Sequence, residues 1–422
     1  MKKYLIILLT LVFVLASCSS NEEEATGEKD SSKSEGPVTI SFIQPGLEKP
    51  QTKKAIEKTV KRFEEENPDI KVDVQGVGWK QAYQKLVTGF QSGESPDVIY
   101  GGTRWMPAFQ AMEAIKPLNE FAEEKIKEYP ESLRSSGKIG DEIYAIPRSF
   151  SSRTLYYRSD LIEEPPKTWD ELVKKAKQVQ KENEGMFGFG ISGASGAVST
   201  TTQYFNYVVQ NGGEVFDKEG NVQINSPEAV EALEFYRDLY TKHKITPNPL
   251  EYTREQLPIL FKEGKLAMFV NGPWARGIME IEQDDEDTPF KVAKLPKGEQ
   301  MGNILVSDSL MMSADTEHPE AAWKFIEHLT SLEEQKKYDK NEGLVPILSE
   351  ESEDPYFKED PFFSKFVEMV EYGHEQPKVT AWEPFQDIVI EAVQKSLQGE
   401  DPQKLLDNAA KEIKKQNLEP KQ

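Results

Sequence analysis

The sequence predicts an α/β protein of two lobes, and three observations carry that prediction. Residues 38–100 read as strand, helix, strand, helix, strand, the order that builds a parallel sheet with right-handed crossovers. About 385 residues follow the N-terminal leader and tether, too many for one small core. The stretch 148–157, polar and then apolar, reads as an extended segment that leaves one sheet and enters another.

The chain begins with Lys2 and Lys3 and an almost unbroken apolar run over residues 4–15. That run is too short to span a bilayer and has the form of a signal-peptide core, so residues 1–17 read as a leader. It closes on Leu15-Ala16-Ser17-Cys18, which resembles a bacterial lipobox with Cys18 as the lipid-bearing first residue of the mature chain. Cys18 is the only cysteine, so no internal disulfide forms in an exported chain, and an anchor gives that thiol a purpose. The plainer alternative is an ordinary secretory signal with a chance cysteine. Residues 18–36 are polar, without apolar periodicity, and read as a flexible tether. The expected location is therefore the cell membrane, lipid-anchored on its extracytoplasmic face. With 51 Lys+Arg against 73 Asp+Glu the net charge is −22, and loss of Lys2 and Lys3 with the leader makes it −24. So acidic a chain repels phosphates, which argues against a nucleic-acid partner.

The folded part opens with a strand at residues 38–43 and a helix at about 52–66, apolar at Ala55, Ile56, Val60 and Phe63, stopped by Asn67-Pro68. A strand at 70–74, a helix at 79–91 and a strand at 98–100 follow. Gln44 lies just past the first strand. Gly101-Gly102-Thr103-Arg104-Trp105 follows the third, where open α/β sheets hold ligands. The same residues also fit a tight turn before a helix. A Lys/Glu-rich helix is expected after Pro117, then a hairpin turn at Gly140-Asp141.

On the crossing segment Ser149, Ser151 and Arg153 alternate to one face. Buried hydroxyls and a buried Arg need partners; a polyhydroxylated ligand and a structural ion pair both fit Arg153, while Arg148 reads as structural. Thr168 is an N-cap for a helix through Lys181. A Gly-spaced strand at 187–191, a small-residue loop at 193–202 and a helix at 203–210 follow, with Tyr204 expected at the loop end and therefore at a pocket. A helix over 227–242 and another over 253–263 lead to Phe261-Lys262-Glu263-Gly264, then to an apolar run at 266–270. Asn271-Gly272-Pro273 breaks that strand and sets Trp274 past its carboxyl end. Residues 302–306 and 309–313 read as a second crossing containing Asn303. Helices at 319–329, from Trp382 to about 397, and at about 402–415 complete the chain.

Several chemistries find no support. The small-residue loop lacks the Gly-Lys-Ser/Thr of a phosphate loop and the Gly-x-Ser-x-Gly of hydrolases. The acidic run at 280–287 lacks the glycine and terminal Glu of a calcium loop and reads as solvated. Four scattered histidines show no zinc spacing. No metal, cofactor or catalytic residue is expected, although a glycosidase carboxylate pair is not excluded by so acidic a sequence.

Taken together the motifs resemble the carbohydrate-binding solute-binding lipoproteins of bacterial ABC importers, the group related to maltodextrin-binding protein. They are the lipobox, the Phe63-Glu64-Glu65-Glu66-Asn67-Pro68 helix end, Ser95-Pro96-Asp97-Val98, Tyr144-Ala145-Ile146-Pro147, Leu155-Tyr156-Tyr157-Arg158-Ser159-Asp160-Leu161, Thr168-Trp169-Asp170-Glu171-Leu172, FKEGKLAMFVNGPW from Phe261 to Trp274, and the Trp382 helix. They span nearly the whole mature chain, and FKEGKLAMFVNGPW is the most specific. The resemblance implies a periplasmic-binding-protein-like (type II) fold, each lobe a mainly parallel sheet flanked by helices, with the ligand cleft between them. It implies a first lobe of 37–147 plus 303–347 and a second of 148–302 plus 348–422. It implies a sugar or oligosaccharide ligand, permease partners and a monomer. Trp274 and Trp382 would be stacking rings, and Gln44, Arg104, Trp105, Ser149, Ser151, Arg153, Tyr204 and Asn303 would line the cleft. The chain departs from the family in Arg158-Ser159 where relatives usually have Asn-Lys. It has Ser149 and Ser151 where they often carry an acid, which leaves an acidic sugar or a phosphorylated polyol open as ligand.

Overall fold

In the computed structural model residues 36–196, 198–281 and 288–420 are described. Cys18, the leader and tether, and residues 282–287 of the acidic run lie outside them. The strands among the described residues are β1 (Val38–Pro45), β2 (Ile70–Val77), β3 (Val98–Gly102), β4 (Lys138–Ile139), β5 (Glu142–Ile143), β6 (Ala145–Ser151), β7 (Thr154–Arg158), β8 (Met268–Asn271), β9 (Phe290–Ala293), β10 (Asn303–Met312) and β11 (Gly373–Glu375).

Two sheets organise the molecule. The first runs β11-β10-β3-β1-β2, with β6 also paired to β10. In it β1 is parallel to β2 and β3, while β10 runs antiparallel to β3 and β6. The second runs β8-β7-β9, antiparallel throughout its ladder. The expected α/β fold of two lobes is present; the first sheet is mixed, with β1–β2, β1–β3 and β10–β11 parallel, while the ladder of the second is antiparallel in place of the expected mainly parallel sheet. In the second sheet the parallel contacts are the isolated bridges Phe187↔Leu266 and Gly190↔Phe269. The chain passes from the first sheet to the second at β6–β7 through Ser152 and Arg153, and β10 returns beside β6.

Short motifs hold the first half together. Asn67 ends the helix Pro50–Glu66 by donating both its backbone N and its Nδ2 to Phe63 O, at 2.8 and 3.0 Å. Asp97 of Ser95-Pro96-Asp97 accepts from Ser41 N and Oγ (2.8 and 2.7 Å) and from Thr316 Oγ1 (2.6 Å). Burial works against its charge, yet those donors hold it below the usual carboxylate range. The helix Pro319–Leu329 closes the layer by setting Phe325 edge-on to Phe42 and Phe63, at 5.2 and 5.0 Å. Full burial of a side chain such as Phe63 contributes about 1.5–3 kcal/mol.

Four element predictions are corrected. Residues 187–191 form no strand, only the isolated bridges Phe187↔Leu266 and Gly190↔Phe269. The Lys/Glu-rich helix is three short turns, Asn119–Ala122, Lys125–Glu128 and Glu131–Arg134. Pro130 forces Tyr129 into extended backbone (ψ 150) and so breaks it. The helix expected at 203–210 is Val198–Gln210. Its Ser/Thr-rich start is buried, and Thr202 Oγ1 donates back to Val198 O at 2.8 Å, which accommodates a hydroxyl inside a helix. The helix expected at 253–263 is Leu257–Lys262.

Candidate functional site

The crossing strands gather a cluster of charged and aromatic side chains. Its first wall is the loop after β3. Gly101 and Gly102 make room there: a Cβ on Gly101 would lie 2.9 Å from the Trp105 ring, and one on Gly102 would lie 2.5 Å from Arg104 Nη1. Both side chains therefore fold back over the backbone that precedes them. Trp105 is buried among Trp79, Tyr83 and Phe109. Its Nε1 donates to Glu383 Oε1 at 3.2 Å, in the helix Trp382–Leu397.

The floor comes from β6 and β10. Asp308 sits in register with both Gly102 and Ser149, beside an irregularity in the β10–β6 pairing at Asp308/Ser309. Arg104 Nη1 reaches Asp308 Oδ1 at 3.4 Å, and Ser149 Oγ donates to Asp308 Oδ2 at 3.4 Å. Behind Ser149, Tyr338 OH donates to Tyr100 OH, which lies 2.9 Å from Ser149 Oγ. With its proton given to Asp308, Ser149 accepts from Tyr100, so the hydroxyls form one directed chain ending on a carboxylate. Burial raises Asp308 above the usual carboxylate range, against the pull of Arg104 and Arg254. Burial likewise lowers Arg104, opposed by Asp308 and Glu383. Each charge is thus only partly compensated by the other.

The second wall is the turn after β8. Tyr156 OH donates to Gly272 O at 2.9 Å, and Asn271 Nδ2 donates to Arg254 O at 2.6 Å. Asn271 therefore positions Arg254 beside the turn that carries Trp274. A Cβ on Gly272 would sit 2.1 Å from the Trp274 ring, so only glycine lets the ring fold onto its own turn. The guanidinium carbons of Arg153 and Arg254 each lie 5.0 Å from the Trp274 ring centroid. Arg254 also pairs with Glu255 at 2.7 Å.

Arg153 is the most constrained member, at 3% exposure. Its Nη1 donates to Ser151 Oγ, Ser151 O and Ser152 O at 2.9, 3.3 and 3.0 Å. Its backbone N donates to Asn303 Oδ1 at 3.1 Å, joining the two crossings. Its Nη2 is buried without a partner. Burial, with Arg254 nearby, pushes the guanidinium down to about 9.

The sequence-predicted residues fall into three groups. Arg104, Ser149, Ser151, Arg153 and Trp274 converge on the cluster. Trp105, Trp382 and Asn303 adjoin it but are packed. Trp382 is 0% exposed, its Nε1 donates to Gln386 Oε1 at 3.0 Å, and Arg104 lies 5.9 Å from its ring. Asn303 Nδ2 is bonded to Met369 O at 3.2 Å. Tyr204 is a correction. With the helix starting at Val198, it lies inside the core, fully buried, its OH on Ala229 O at 3.0 Å. Gln44 is also buried, donating to Pro45 O at 2.9 Å. Arg148 is structural as expected, bonded to Leu329 O and 4.1 Å from the Tyr338 ring. The strand expected before Trp274 is β8, antiparallel to β7 and bridged in parallel to Gly190.

Asp308, Arg254, Glu255 and Glu383 escaped the sequence reading. Asp308 did leave a signal: a carboxylate in the middle of an apolar strand, VSDSL, requires a buried partner. It supplies from β10 the acid that the crossing strand lacks at Ser149 and Ser151. A separate cavity of about 1160 Å³ lies among Tyr157, Phe290, Tyr356 and Phe362. Its Arg276 and Asp360 pair at 3.2 Å.

The sequence profile described as Bacterial extracellular solute-binding protein matches residues 49–336. A Brucella abortus protein named only as a binding protein is 29% identical over 84% of this chain and 87% of its own. The solved structure of maltose-bound MalE3 of T. maritima is 29% identical, covers 90% of this chain and 100% of its own, and superposes with a TM-score of 0.81. The ABC transporter solute-binding protein of Thermotoga lettingae, bound with α-D-tagatose, is 25% identical, covers 90% and 99%, and has a TM-score of 0.80.

Proposed function

Because the chain belongs to the family of bacterial extracellular solute-binding proteins, we propose that it is the sugar receptor of an ABC importer, taking a sugar or oligosaccharide between its lobes and delivering it to the permease. As in its relatives, the role is that of a receptor and not an enzyme. The maltose and tagatose bound by its structural neighbours support a sugar as solute. The single observation that carries the reading is the Trp274 ring set against Arg153 and Arg254, with Arg254 in turn acting on the Arg104–Asp308 pair, where the two sheets exchange strands. A sugar presents an apolar C–H face and a dense set of hydroxyls. The ring suits the first, and fixed donors and acceptors suit the second.

In this reading one lobe is 37–147 with 303–347 and the other 148–302 with 348–422, and the ligand closes them on each other. Ser149, Ser151 and Arg153 contact the ligand, and Trp105, Asn303 and Trp382 support them. Cys18 carries the lipid that holds a monomeric receptor at the membrane. Titration of intrinsic Trp fluorescence with a panel of mono- and oligosaccharides tests the function. Saturable binding, weakened in Trp274→Ala by about 1–3 kcal/mol, is expected; a panel without any response overturns it. A radius of gyration that does not shrink with saturating ligand overturns the clamp. A Cys18→Ser chain that stays with the membrane fraction overturns the anchor.

A further inference from the structure

We propose that the solute is an anionic carbohydrate, whose acidic oxygen group is received by Arg153. The inference rests on the sugar-receptor reading and names the class of sugar. Three guanidinium groups meet at the cluster, and two have carboxylate partners: Arg104 has Asp308 at 3.4 Å, and Arg254 has Glu255 at 2.7 Å. Arg153 has hydroxyl and carbonyl acceptors on its own strand, and among the described residues no carboxylate forms an ion pair with it. The remaining carboxylate, Glu383, accepts from Trp105 and is pushed by burial toward its neutral form. Glu255 and Asp308 act on Arg153 only from beyond ion-pair distance, so the cluster keeps one cation without an ion-pair partner of its own.

Two buried donors of the cluster stand idle. Arg153 Nη2 and Arg104 Nε both lack partners, on side chains that are 3% and 9% exposed respectively. They come from opposite sides of the β3–β10–β6 floor, since Arg104 follows β3 and Arg153 follows β6. An orphaned donor is costly inside a protein, and an unpaired buried cation more so. A neutral hydroxyl offers a hydrogen bond without charge compensation. A carboxylate or phosphate offers both, with oxygens spaced for guanidinium donors. The Trp274 ring, 5.0 Å from each of the Arg153 and Arg254 guanidinium carbons, adds an apolar surface that a bare anion would not use, which directs the inference to an acidic sugar and not to an inorganic ion.

Calorimetric titration of the unmodified protein with a uronate, its methyl ester, a sugar phosphate, the neutral parent sugar and inorganic phosphate tests this. At least one acidic sugar should bind about 10- to 100-fold more tightly than the ester and the neutral parent, the range separating charged from neutral hydrogen bonds. The two acidic arms tell carboxylate from phosphate. Arg153→Gln should shrink the preference to within about threefold, and Arg153→Lys, which keeps the charge, should retain part of it. Equal or better binding of the neutral sugar overturns the inference and leaves the receptor reading standing. Inorganic phosphate binding as well as the sugar phosphate, or no sugar binding at all, overturns both.

Discussion

Gly272→Ala isolates the contact that sets Trp274 in place. The new methyl would meet ring carbons Cζ3, Cη2 and Cε3 at 2.1, 2.2 and 2.6 Å, where ordinary contact begins near 3.4 Å. The ring must therefore swing by about an ångström or more, out of its place beside Arg153 and Arg254. Gly272 is not in the left-handed region, so the alanine meets no backbone penalty. The cost is overpacking alone, about 1–3 kcal/mol. In a Trp274→Ala background the obstacle is gone, and the same substitution should be neutral or stabilise by up to about 1 kcal/mol through the unfolded chain. The coupling between the two sites is then roughly 1–4 kcal/mol, read as a double-mutant cycle from urea unfolding followed by circular dichroism. Gly277→Ala, with no atom within 4 Å of its Cβ, is the control and should be close to silent. Equal destabilisation by Gly272→Ala with and without the Trp274 ring would falsify the argument.

Two further outcomes concern pH. Burial opposes the charge of Glu334, but hydrogen bonds from Arg62 (2.7 and 2.5 Å), Lys337 (3.0 Å) and Thr59 (2.8 Å) override it and hold the carboxyl at about 2. Its folded value lies below the unfolded one, so its contribution is present above about pH 4.3 and lost as pH falls toward 2. Glu334→Gln should lower stability at pH 7 by on the order of 2–3 kcal/mol and flatten the decline from pH 5 to 2; an unchanged acid limb in urea midpoints would contradict this. Asp339 and Glu351 behave oppositely. Both are buried, and Asp339 Oδ1 and Glu351 Oε1 have no donor. Burial raises both, and Glu351 adds to the rise of Asp339. Folded values above the unfolded ones mean stability is complete in acid and declines as pH rises from about 4 through neutrality. Asp339→Asn should remove much of that decline between pH 5 and 8, and a melting-temperature profile as steep as the parent's would refute the pairing.

Most strands and the long helices announced themselves because their signals are local, the strand expected at 187–191 being reduced to two single bridges. Thr168 caps its helix as expected, accepting from Glu171 N at 3.2 Å, and Pro319–Leu329 begins and ends where its proline and apolar stripe placed it. The site was visible only in part, for a physical reason. Arg104 and Trp274 sit beside glycines, and glycine before a large side chain is a sequence-level mark of close approach. Asp308 and Arg254 enter through register and through a hydrogen bond from Asn271, neither of which has a sequence period. Tyr204 lies in the core because the expected loop before it is helix, in which Thr200 and Thr202 hydroxyls are accommodated by bonds back to the chain. Even sheet direction followed this division: the opening β-α-β-α-β segment is parallel as patterned, while the strand order of the second sheet depends on partners more than a hundred residues apart.

The position of β10 constrains the order in which the molecule can be made. It lies between β3 on one side and β6 and β11 on the other, yet it is the tenth strand in the chain. As the polypeptide emerges from its N-terminus, β1, β2 and β3 form an incomplete sheet whose β3 edge stays unpaired until residues 303–312 arrive. Some two hundred residues, including all of β7, β8 and β9, must be synthesised in the interval. An exposed edge of that kind invites pairing with other chains, and contacts so distant in sequence form slowly. Fragments ending before residue 303 should therefore remain soluble only while a chaperone or the secretion machinery keeps them extended.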